Sequence, residues 1–211
     1  MGRKPLIVIE HLEDNISVWL ILEYRQASLI YGRENIMFTN VPNKYHKLLN
    51  KFGRVTSDSI VELVRRGDIK PYELIVLDPL AKEPLTYNDL VESKYVVVGG
   101  ILGDHPPRGR TRTYITNNLG NVKARNIGDK QYSIDGSVYV VKYLLDNRNF
   151  LNYKFVDSIE IVTNHGLIIL PYRYPVDGDN VVIADGLIEY LTKGSIPDRI
   201  AREIFSERDR T

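Results

Sequence analysis

The chain has 211 residues, a formal net charge of +1, and 43% apolar and 26% charged residues, enough for one α/β domain with a sizeable core and a small appendage. Near-zero net charge excludes a global pull toward nucleic acid or membrane, so any such partner must be met by a local patch. The absence of cysteine excludes disulfides, thiolate metal sites and cysteine nucleophiles. The apolar run after Arg3-Lys4 stops at Glu10, too short for a signal peptide, and no apolar stretch approaches the roughly 18 residues that cross a bilayer. A cytoplasmic protein with no membrane partner is expected.

In chain order, residues 6–9 read as a first buried strand. Residues 16–30 place Ile16, Trp19, Leu20, Leu22, Ala27 and Ile30 at helical spacing, with Gly32 as the C-cap. A short strand over 35–39 follows, then polar and helical pieces between Pro42 and Lys70, with N-cap residues Thr56 to Ser59 ahead of Ile60. Strands over 73–77 and 94–98 flank a short helix capped by Thr86. A short helix over 111–118, a strand over 121–127 and a helix over 138–145 complete an alternation that argues for a mostly parallel sheet covered on both faces. The last third differs: 155–162 and 167–174 are β-rich around a turn at Thr163-Asn164-His165-Gly166, helices are expected over 181–191 and 196–205, and the charged tail after 206 is expected to fray. The division is one domain over 1–150 and an extension over 151–211 packed on it.

Three of these strands end in unusual loops: Leu77-Asp78-Pro79, then Gly99-Gly100-Ile101-Leu102-Gly103-Asp104-His105-Pro106-Pro107-Arg108-Gly109-Arg110-Thr111, and Ile127-Gly128-Asp129-Lys130-Gln131. Glycines let the backbone approach a ligand, paired prolines forbid an immediate helix, and the carboxyl ends of strands are where open α/β sheets bind ligands. The glycine loop is neither a GxGxxG fingerprint nor a GK[ST] phosphate loop. Each loop alone could be only a tight turn; if the three strands are neighbours, the loops form one crevice. No histidine pair has metal-ligand spacing, so no metal is expected. Arg108, Arg110, Arg112, Lys123, Arg125 and Lys130 make the segment after Pro107 locally basic: a strip for RNA, a partner for a ligand carboxylate, or a solvated face, the last favoured.

Taken together, Ile9-Glu10-His11, Trp19-Leu20-Ile21-Leu22-Glu23-Tyr24, the three loops and Pro171-Tyr172-Arg173-Tyr174 resemble the SPOUT-superfamily methyltransferases, in the branch that methylates arginine in ribosomal proteins and was formerly predicted to act on RNA. The resemblance implies an α/β SPOUT-type sheet with a C-terminal trefoil knot made by the three loops, residues 128–135 threading through, and S-adenosylmethionine as methyl donor. It implies donor contacts from Leu77, Asp78, Pro79, Gly99, Gly100, Ile101, Leu102, Gly103, Ile127, Gly128, Asp129, Lys130, Gln131, Tyr132 and Asp135. Tyr132-Ser133-Ile134-Asp135 departs from the threonine-rich form expected in the family. Asp78 is read either as a ribose acceptor or as the cap of the turn before Pro79.

The implied reaction transfers a methyl group to an arginine side chain of a protein. A guanidinium is protonated at any working pH, so a carboxylate must orient it and take up the released proton. Asp104 is the first candidate and Glu10 the second, with Glu23 a weaker third; the plain alternative for Glu10 is a strand-end charge paired with Arg25. His11 and His105 are read as turn-holding rather than basic catalysts, and Trp19 as core. Two other functions stay open: an RNA methyltransferase using the basic strip, or a non-catalytic ribosome-associated factor that binds the donor. A monomer and a homodimer are both compatible with the sequence.

Overall fold

Along the first 147 residues of the computed structural model, which describes residues 4–103, 106, 108–164 and 166–205, apolar strands alternate with helices. They are β1 (Leu6–His11), α1 (Val18–Tyr31), β2 (Ile36–Thr39), α2 (His46–Leu49), β3 (Arg54–Val55), α3 (Ile60–Arg65), β4 (Leu74–Leu77), α4 (Tyr87–Glu92), β5 (Tyr95–Gly100), α5 (Arg110–Tyr114), β6 (Lys123–Arg125) and α6 (Ile134–Asn147). The six strands form one sheet in the order β3-β2-β1-β5-β4-β6, every pairing parallel. Buried on both faces, the strands can be apolar throughout.

Side-chain alternation divides that core. Ile7 and Ile9 face α1 and α6, in a cluster with Leu20, Tyr24, Val138 and Val141. Val8 and Val97 face the other way, against Ile60, Ile115 and Leu119. Each fully buried Leu or Ile contributes roughly 1.5–3 kcal/mol. Local signals fix the helix ends: Leu20 N donates to Ser17 Oγ at 3.1 Å, and Gly32, at φ 91°, closes α1 with its N–H on Ser28 O. Ser133 caps α6 by accepting from Gly136 N, so that helix starts at Ile134, four residues before the first of the expected span.

After α6 come β7 (Lys154–Val156), β8 (Ile159–Thr163), β9 (Gly166–Leu170), β10 (Tyr174–Asp177), β11 (Asn180–Val181), α7 (Leu187–Lys193) and α8 (Asp198–Ile204). Each of the two long strands expected here is divided: β8 and β9 form the hairpin, while β7, β10 and β11 make a separate antiparallel sheet. The helix expected over 181–191 is also corrected. Asn180 and Val181 pair back on β10, and the left-handed Gly186, at φ 85°, delays α7 to Leu187. Helix α8 returns to α1, burying Ile200 and Ile204 in the main core and pairing Glu203 with Arg25 at 2.6 Å. Among the described residues no helix is long and apolar enough to cross a membrane.

Candidate active site

β5, β4 and β6 are neighbours, so the loops that follow them share one end of the sheet. They enclose about 600 Å³ of space that opens to solvent, lined by Leu77, Asp78, Pro79, Val98, Gly99, Ile101, Gly103, Thr111, Ile127, Gly128, Lys130, Gln131, Tyr132, Ile134 and Ser137. Eleven of the fifteen donor residues implied by the resemblance are among them. Gly100, Leu102, Asp129 and Asp135 are not in the lining. Thr111, the last residue of the glycine-loop motif, lines it as well, and Val98, Ile134 and Ser137 line it without any signal in the loop motifs; the last two stand three apart on the first turn of α6 and so share a face.

Backbone fit is tight at two glycines. A Cβ on Gly99 would lie 2.9 Å from Thr111 Oγ1, and one on Gly103 would lie 2.5 Å from the Tyr172 ring and 2.8 Å from Gln131 Oε1. Gly128 holds φ 123°, in the region that favours glycine. The result is an apolar slot of Leu77, Val98, Ile101, Ile127 and Ile134 edged by backbone amides and carbonyls, the surface a purine nucleoside requires.

The charged candidates have definite partners. Asp78 is buried; its carboxylate accepts from Leu80 N at 2.8 Å, Thr116 Oγ1 at 2.8 Å and Arg112 Nε, so its side chain caps the turn that runs through Pro79 to Ala81 and ties α5 to it. Glu10 lies beside Gly99 in the sheet register, yet its carboxylate accepts from Thr39 Oγ1 at 2.5 Å and Ile60 N at 2.9 Å, outside the crevice lining. Burial raises its pKa from 4.5 to about 7. The pairing of Glu10 with Arg25 is overturned: Glu10 shares the Val8 face, whereas Arg25 sits on α1, across the sheet, with Glu203 and Asp185. Asp104 and His105 lie outside the described residues. His11, the last residue of β1, is buried with its Nδ1 3.0 Å from Tyr24 Oη on α1, so it ties the strand end to that helix.

Glu23 is buried between helices, accepting from Trp19 Nε1 at 2.6 Å and from Ile134 N at 2.9 Å. It therefore fixes the amide where the third loop becomes α6. Asp135 beside it is fully buried, and neither of its carboxylate oxygens finds a well-formed hydrogen bond. Burial pushes both carboxyls above their usual range. Among the described residues no group of His, Cys, Asp and Glu could hold a metal.

The basic segment is largely neutralised within the molecule. Arg110 pairs with Glu13, Arg112 with Asp78, Lys123 with Asp89 and Glu92, and Arg125 with Glu83 and Asp89. Among the described residues only Arg108 and Lys130 of the six carry no ion pair.

A parallel sheet in this order, with three loops gathered at the carboxyl ends of adjacent strands, defines a SPOUT-type methyltransferase fold. The fold is shared with the dual specific Trm10 from Thermococcus kodakaraensis, at a TM-score of 0.53 and 16% identity over 69% of this chain and 94% of that one. Residues 6–197 match the model of the SFM1-like protein arginine N-methyltransferases, and the chain belongs to that family. It is 32% identical over 203 residues to the protein arginine N-methyltransferase SFM1 of Saccharomyces cerevisiae, covering 89% of this chain and 94% of the yeast protein. Its structure is similar to that of the yeast arginine methyltransferase SFM1 complexed with SAM, with a TM-score of 0.79, 29% identity and 92% of each chain covered, and to the complex with SAH, with a TM-score of 0.77, 28% identity and 89% and 94% covered.

Proposed function

We propose that the crevice between the three loops binds S-adenosylmethionine and that the chain transfers its methyl group to an arginine side chain of a protein, a ribosomal protein by the resemblance read from the sequence, in the cytoplasm by the composition of the chain. One observation carries this reading: an apolar slot bordered by glycine backbone, built from eleven of the residues implied as donor contacts, at the end of a sheet shared with a methyltransferase family. The loops are proposed to form a trefoil knot, residues 128–135 passing through it.

S-adenosylmethionine supplies an electrophilic methyl on a sulfonium. The residues of the chain orient and exclude water: Leu77, Ile101 and Ile127 wall the slot, and backbone groups at Gly99, Gly103 and Gly128 can approach a ligand closely. A guanidinium nitrogen attacking in line must lose a proton, and both partners carry positive charge, so a carboxylate nearby stabilises the approach and accepts that proton. Asp104, directly after Gly103 in the sequence, is the residue we assign to this step. Glu10, engaged with Thr39 and Ile60, is assigned to holding β1, β2 and α3 together beside the loop rather than to proton transfer. An RNA substrate is disfavoured because four of the six basic residues after Pro107 are paired to acids of the chain itself.

The test incubates the purified chain with methyl-labelled S-adenosylmethionine and a ribosome-rich extract, then divides the sample between protease and ribonuclease. Label released only by protease is expected, and Asp104→Asn should abolish it while leaving donor binding intact. Label released only by ribonuclease would replace this reading with RNA methylation.

A further inference from the structure

The antiparallel extension meets the crevice through two consecutive residues between β9 and β10. Tyr172 Oη donates to Gly103 O at 2.7 Å, and its ring occupies the space that a Gly103 side chain would need. Arg173 takes the other loop. Its N–H donates to Gln131 O at 2.7 Å, and its backbone bridges Tyr132 in parallel. Its guanidinium reaches Asp129 Oδ1 at 2.9 Å and Asp157 Oδ1 at 2.7 Å, and lies 3.9 Å over the Phe155 ring. A third tie runs from Tyr153 Oη to Tyr132 Oη at 3.1 Å. Gly103, Gln131 and Tyr132 all line the crevice, so one dipeptide grips two of its walls.

We propose that Tyr172 and Arg173 are positioning residues: the extension clamps the glycine loop against the third loop and thereby sets the shape of the donor crevice. This rests on the donor reading given above. Arg173 suits the task because its planar fork can hold Asp129 and Asp157 together, one on the donor loop and one on the extension. Tyr172 supplies a flat face and one donor. Because donor and extension grip the same loops, linkage requires that each stabilise the seating of the other: a bound donor protects 166–177 from exchange, and loosening the clamp weakens donor binding.

The test titrates S-adenosylhomocysteine into the full-length wild type, Tyr172→Phe and Arg173→Gln, with thermal unfolding of each chain in the absence of ligand and amide hydrogen exchange of 166–177 with and without it. Losing the Tyr172 hydrogen bond is expected to weaken binding roughly 3–10-fold, Arg173→Gln more, with the unliganded melting point of Tyr172→Phe close to wild type. Ligand should slow exchange over 166–177 in the wild type and much less in Arg173→Gln. Wild-type affinity in both variants, or no ligand-dependent protection of the extension, would overturn the clamp and leave the donor site standing. No binding by the wild type would instead remove the donor reading, and the clamp with it.

Discussion

Glu10 shows how a side chain can be placed by the sheet before it is placed by chemistry. Strand alternation directs it to the α3 face, where Thr39 and the Ile60 amide satisfy it, whereas a reading of strand ends alone could not tell which face it takes. Its carboxyl is raised from the usual 4.5 to about 7 by burial, so between those values the folded chain binds more protons than the unfolded one and stability falls as pH rises. At about 1.4 kcal/mol per pH unit this amounts to about 3 kcal/mol. Glu23 and Asp135 shift in the same direction and add to the slope. Glu10→Gln keeps an acceptor for Ile60 without the charge, so its unfolding free energy should fall less steeply between pH 4.5 and 7. Denaturant melts across that range test this, and identical slopes for the two chains would contradict it. Asp78 serves as a turn cap and also receives Arg112 and Thr116 from the far side of the glycine loop, a contact no local spacing announces.

At the scale of elements, the strands most legible in the sequence are those with unbroken apolar runs: 6–9, 73–77 and 94–98 fall on β1, β4 and β5, and the three unusual loops follow directly from β4, β5 and β6. The short pieces were illegible. β3 is only Arg54–Val55, with no period to read, and β11 exists because Asp177 and Asn180 close a tight hairpin. The neighbourhood of the three loops depends on strand order, which the sequence leaves conditional. The basic segment also changes meaning on folding. Burial pushes Asp89 up, but hydrogen bonds from Arg125, Thr86 and Lys123 outweigh it and hold it at about 2. Arg125→Ala should therefore destabilise the chain by about 1–3 kcal/mol, because it leaves a nearly buried carboxylate short of a partner. A melt checks this, and an unchanged melting point accompanied by loss of RNA affinity would restore the RNA reading.

For the molecule as a whole, the extension is more than an appendage. Helix α8 locks onto α1 through Arg25 and Glu203, and Leu187, Ile200 and Ile204 complete the core around Leu20 and Leu22. At about 2 kcal/mol for each of those three side chains, deleting 187–205 should lower the melting point by about 12–24 °C; calorimetry of the truncated chain would show it, and an unshifted transition would mean that the helices rest on an already complete core. The same region grips the crevice through Tyr172 and Arg173, so stability and donor binding meet in one segment. The atom that receives the methyl group is identified most directly by hydrolysing the labelled macromolecule from the transfer reaction to its monomers and separating them. Label in methylarginine is the expected result; label in a methylated nucleoside, or in any other amino acid, would contradict it.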